Sequence, residues 1–147
     1  MTADWLPVER IIHEGLELAV IVRAAPANEG IRFYTGPDAT LQIGQMLRPP
    51  GYLIRPHVHL PLARTVSYTQ EALFIRSGRL RVDFYDEKQQ FVESRELKAG
   101  DVVLLTRGGH GFRMLEATEI VEVKQGPYVG EGDKARFDGI DDGYQNS

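Results

Sequence analysis

From Leu16 to Gln125 the chain is cut into apolar or alternating runs of four to seven residues, each closed by glycine, proline or aspartate. LELAVIV at Leu16–Val22, the wholly apolar Val102–Leu105 and the alternating Leu80–Tyr85 are the clearest of these. Branched and aromatic side chains favour strands, and a two-residue period buries one face of a sheet. No stretch longer than ~8 residues keeps the 3.6-residue period of an amphipathic helix. Short strands at even spacing between turn residues predict an all-β sandwich or barrel. Further strands are expected at Ile31–Tyr34, Leu41–Leu47, Ala72–Arg76, Phe91–Leu97, Phe112–Glu116 and Glu119–Gln125, with a hairpin at Ser77-Gly78-Arg79.

Within this pattern one stretch carries chemistry. His57 and His59 stand two apart in a segment expected to be extended. Alternate strand residues face the same way, with Cα atoms about 7 Å apart, so both imidazoles reach one point. Glu71 opens the next apolar run, and His110 follows the glycine pair Gly108-Gly109. Only four histidines occur in the chain, and the fourth, His13, lies in a short apolar stretch and reads as a packed or surface residue. Three imidazoles and a carboxylate form a mixed nitrogen and oxygen donor set suited to Fe, Mn, Zn, Ni or Cu.

These residues resemble the cupin family. Its first motif runs G, five residues, H-x-H, three or four residues, E, six residues, G. Gly51, His57, His59, Glu71 and Gly78 fall on it, with eleven residues, not three or four, between His59 and Glu71. An inserted loop at about 60–70 is therefore expected beside the site. Gly100, Gly108 and His110 fall on the second motif. Thr106 stands for its proline, the gap from Gly108 to His110 is one residue short, and Met114 stands near its asparagine. The resemblance covers roughly residues 39–128. It implies a double-stranded β-helix, or jelly roll, over 16–128, preceded by an N-terminal arm at 1–15 and followed by a Gly- and Asp-rich, partly ordered tail at 129–147. It implies a divalent metal ion held by His57, His59, Glu71 and His110, and a homodimer, with Trp5 and the arm as candidate contacts.

Around those four residues, strand parity nominates others. Arg55 shares the face of His57 and His59 and suits a carboxylate or phosphate. Gln45 lies on the preceding strand, Tyr68 in the inserted loop, and Phe112 on the face of His110. These four are the candidate substrate-binding residues, and no catalytic residue is singled out. In the tail, Phe137 and Ile140 are candidates to dock. Asp138, Asp141 and Asp142 lack the spacing of a calcium loop and read as a solvated acidic group.

Composition narrows the function. A chain of 147 residues is one domain by length and needs no covalent staples. Net charge is −4 with both signs interleaved, which excludes a nucleic-acid footprint and a polybasic membrane patch. There is no cysteine, so thiolate metal sites and disulfides are excluded. No secretory signal or membrane span is visible, and a cytoplasmic protein is expected. By the resemblance, the expected function is metal-dependent isomerase, oxygenase or lyase chemistry on a small polar molecule. Similarity to uncharacterised cupins associated with bacterial surface-polysaccharide synthesis points to a sugar or sugar phosphate. The alternative is a non-catalytic metal- or ligand-binding module.

Overall fold

Residues 7–141 are described by the computed structural model, and every regular element among them is a strand. The ten strands are β1 (Val8–His13), β2 (Leu16–Val22), β3 (Gly30–Phe33), β4 (Gly44–Leu47), β5 (Glu71–Ser77), β6 (Arg79–Tyr85), β7 (Phe91–Lys98), β8 (Val102–Leu105), β9 (Gly109–Met114) and β10 (Glu119–Lys124). All pairings are antiparallel. No helix among the described residues is long and apolar enough to cross a membrane.

The chain divides into two units. The first runs up to Ala24 and resumes at Tyr68. Its five-stranded sheet has the order β1-β2-β8-β5-β10, and its three-stranded sheet the order β7-β6-β9. One apolar core joins them. Ile11, Ala19, Ile21, Leu73, Ile75, Val103 and Leu105 come from the larger sheet, and Leu80, Val82, Phe84 and Leu97 from the smaller. All eleven are buried and alternate with residues on the opposite face, the period read from the sequence.

Two expectations are corrected here. Val8–His13, expected as an arm, is strand β1, and Ile11 is fully buried. Its register against β2 brings Ile11 beside Ala19, inside the core. Trp5 lies outside the described residues. Gly78 does not close a hairpin, because β5 and β6 lie in different sheets. Gly78 adopts φ +84° at the corner where the chain crosses between them, a backbone region that costs glycine little.

The C-terminal tail is held down over 129–141. Ile140 N donates to the Tyr85 hydroxyl at 3.0 Å, and the Phe137 ring sits edge-on to Tyr85 with centroids 5.0 Å apart. Asp141 is not merely solvated, since it pairs with Arg81 and lies 3.4 Å from Arg113. Asp142 lies outside the described residues.

The second unit is Ala25–Ser67. It contains the β3–β4 hairpin, in which Ile31 faces Met46 and Phe33 faces Gly44. Residues 52–67 follow without helix, strand, turn or bend. The segment holding His57 and His59 therefore joins no ladder. Pro56 and Pro61 each remove a backbone donor from it.

Candidate metal centre

In the first unit the structure brings Glu71 and His110 together. Glu71 opens β5 and pairs with Leu105 of β8, whose side chain enters the core. His110 lies opposite Phe84 of β6 in the facing sheet. Both therefore point inward at the same end of the two sheets. His110 Nε2 lies 3.4 Å from Glu71 Oε2. Gly108 makes the bend that delivers β9. Its φ is +74°, and a Cβ there would stand 2.5 Å from the Tyr85 carbonyl oxygen.

Lys124, absent from the sequence reading, joins this pair. It ends β10 directly opposite Glu71, and its Nζ lies 3.6 Å from Oε1, the oxygen turned away from His110. Contact with His110 first, then the charge of Lys124, holds the Glu71 carboxyl below its ordinary value, against the opposing effect of burial. The motif pattern gives no hint of Lys124, because only the β5–β10 register places it. Phe112, two residues after His110, packs on the core with its ring centroid 5.4 Å from the imidazole. That agrees with the parity argument.

Tyr68 is tethered within the same unit. Arg107, in the β8–β9 turn, donates to its hydroxyl at 3.2 Å and sits 5.0 Å from its ring centroid. Arg107 is itself anchored to Glu87 at 2.7 Å.

In the second unit His57 and His59 form their own pair, edge to face with centroids 5.2 Å apart, and both are exposed. His57 Nδ1 donates to the Arg55 carbonyl at 3.0 Å. A carbonyl only accepts, so the neutral ring carries its proton on Nδ1 and leaves Nε2 as a free donor of electrons. Metal-binding histidines are typically oriented by such a bond from the other ring nitrogen to a carbonyl or carboxylate. The Arg55 side chain is exposed. Gln45 is engaged within the unit, its Oε1 accepting from the Tyr34 hydroxyl at 2.9 Å.

The Glu71–His110 pair alone has the spacing of two ligands on one divalent ion. Two atoms each about 2.1 Å from one ion lie about 3.0 to 3.4 Å apart for right-angled to tetrahedral bonds, and the Glu71–His110 separation of 3.4 Å matches. Among the described residues no group of three or more His, Cys, Asp or Glu is placed to hold an ion. The structure thus brings together His110 with Glu71, and His57 with His59, as two pairs. Comparison with protein-family models, with curated proteins and with solved structures gave no match.

Proposed function

We propose that this chain is a small cupin whose His57, His59, Glu71 and His110 hold one divalent metal ion, and which acts on a small polar molecule of the sugar or sugar-phosphate class. The observation that carries the reading is the inward-facing Glu71–His110 pair, delivered by strands from facing sheets to a coordination-type separation. The path of the chain supports the jelly-roll assignment. From β5 onward it passes repeatedly between the two sheets, as a double-stranded β-helix requires.

Bound there, an ion of the Fe, Mn or Zn kind would supply Lewis acidity toward a substrate oxygen. The chain's own groups set what surrounds it. Lys124 neutralises Glu71 from the side away from His110 and keeps the carboxylate ionised. Phe112 walls the core side of His110 and excludes water there. Arg55 offers an exposed, planar guanidinium for a carboxylate or phosphate, and Tyr68, held by Arg107, presents a hydroxyl at the start of β5. Reaction type follows from which substrate proton or bond these groups face, and isomerase, oxygenase and lyase chemistry all use such a site.

The test is metal analysis of protein purified without added metal, beside His57→Ala purified identically. About one equivalent of metal in the parent and far less in the variant is expected. Equal metal content in both would overturn the assignment. With metal established, turnover of candidate sugars that is unchanged without O2 would exclude the oxygenase branch.

A further inference from the structure

Within the first unit, the C-terminal segment passes from one sheet to the other beside the Glu71–His110 pair. It leaves β10 at Lys124, opposite Glu71, and Gln125 N donates to the Gln70 carbonyl at 2.9 Å. It reaches the smaller sheet at Phe137, whose ring lies against Gly109, the neighbour of His110. Residues 126–136 therefore bridge the strand that carries Glu71 and the strand that carries His110, at the end where the two side chains meet.

The two halves of this segment are fastened differently. Beyond residue 136 the anchors are several: the Phe137 ring on Tyr85, Ile140 N on the Tyr85 hydroxyl, and Asp141 on Arg81 and Arg113. In the loop, among the described residues, one side-chain bond reaches the approach to β5. Thr69 Oγ1 donates to Asp133 Oδ2 at 2.7 Å. Other bonds of residues 129–136 close on the loop itself, Gly132 N to the Val129 carbonyl, Lys134 N to the Glu131 carbonyl and Arg136 to the Glu131 carboxylate. Gly126, Gly130 and Gly132 let the loop change course at little cost, and Gly130 already stands at φ +69°. A lone bond between exposed partners is weak, so the loop parts from Thr69 before the tail parts from Tyr85.

Asp133 sits where an anion is welcome. Thr69 stands two residues before Glu71 and shares its parity, and Lys124 lies opposite Glu71 across the ladder. The Thr69 bond first, with the charge of Lys124 added, holds the Asp133 carboxyl below its ordinary value. A hydroxyl donor and an ammonium next to the Glu71–His110 pair are the groups that receive a phosphate, and the chain fills that place with a carboxylate of its own.

We infer that residues 126–136 form a lid beside the Glu71–His110 pair, latched by Asp133 on Thr69, and that a phosphate group unlatches it by taking the place of Asp133 between Thr69 and Lys124. Latch and phosphate compete, so phosphate binds only the fraction of molecules in which Asp133 has swung away. That the phosphate belongs to a substrate rests on the function proposed above, whereas the latch does not.

The test uses the full chain freed of metal with a chelator, and inorganic phosphate as the probe. Trypsin cutting after Arg136 reports the loop, and calorimetry reports phosphate affinity. Phosphate is expected to speed cutting several-fold, where sodium chloride at equal ionic strength does not. Asp133→Ala is expected to be cut fast with or without phosphate, and to bind phosphate several-fold more tightly because its competitor is gone. Thr69→Val is expected to be cut equally fast, yet to bind phosphate several-fold more weakly. A merely structural contact would not move phosphate affinity in opposite directions. No acceleration by phosphate, equal acceleration by chloride, or phosphate affinity unchanged in either variant would overturn the latch. Metal content of the parent and His57→Ala reports separately. Equal content in a chain whose loop phosphate releases would remove the metal assignment and keep the latch. A loop indifferent to phosphate, in a chain that holds one metal ion, would do the reverse.

Discussion

Arg23 and Asp101, 78 residues apart, meet at 3.0 Å inside the first unit, and the Asp101 side chain is wholly buried. Asp101 Oδ2 also accepts from Lys98 N at 2.9 Å, and Oδ1 accepts from Ala24 N at 2.8 Å. One carboxylate thereby ties the end of β2 to the β7–β8 turn, and Arg23 extends the tie to Glu9 and to the Glu96 carbonyl. Removing one partner of a buried charged pair strands the other and the backbone donors with it. Asp101→Ala is therefore expected to cost about 3–5 kcal/mol. Asp101→Asn, which keeps the shape and some of the bonds, is expected to cost about 1–3 kcal/mol. Urea unfolding followed by fluorescence or circular dichroism checks both as a fall in midpoint at unchanged slope.

Glu9 gives this network its pH dependence. Its hydrogen bond to Arg23 first, helped by Arg95, lowers its pKa from the ordinary 4.5. A carboxyl depressed in the folded state stabilises above its unfolded value, and that contribution disappears as pH falls through the folded value. The melting-temperature gap between the parent and Glu9→Gln is thus expected to be full at pH 7 and to shrink as pH drops below about 4.5. A gap that stays constant down to pH 3 would contradict the assignment. Because Glu9 is partly exposed, the gap is expected to be small, on the order of 1 kcal/mol or less.

Most of the first unit was legible in the sequence for a definite reason. Leu16–Val22 and Val102–Leu105 fall at the observed strand limits, because each is a dense apolar run bounded by turn residues. β1 was not legible. Val8–His13 contains three charged or titratable side chains beside Ile11 and Ile12, and only pairing with β2 makes it a strand. The sheet switch at Gly78 was hidden because a tight corner and a hairpin use the same residues. At the candidate site, the family resemblance grouped Glu71 with His110 despite the long gap after His59, and the structure brings the two together. Lys124 could not be read, since its place depends on a non-local register.

Lys124 is therefore a direct test of the site's surroundings. Its ammonium occupies Oε1 of Glu71 and leaves Oε2 to the side of His110. Outer partners of metal ligands typically affect affinity by about 10–100-fold. Lys124→Met is expected to weaken metal binding by that factor, and Lys124→Arg to retain most of it. Competition with a chromophoric chelator measures both. Affinity unchanged in Lys124→Met would show that Glu71 is oriented by the fold alone.

The tail makes the last prediction, because it packs beside the strand that carries His110. Phe137 lies over Gly109, where a Cβ would stand 2.8 Å from its ring, and presses edge-on against Tyr85. Tyr85 also accepts from Ile140 N, and Asp141 binds Arg81. Phe137→Ala removes the aromatic contact, worth about 0.5–1.5 kcal/mol beyond buried area, and frees the segment around Lys134 and Arg136. Trypsin is expected to cut there several-fold faster in Phe137→Ala than in the parent, while the remaining core resists. Gly109→Ala is expected to act in the same direction, since its methyl group displaces the same ring. Cleavage at equal rates in all three proteins would mean that the tail is held by its ion pairs and not by Phe137.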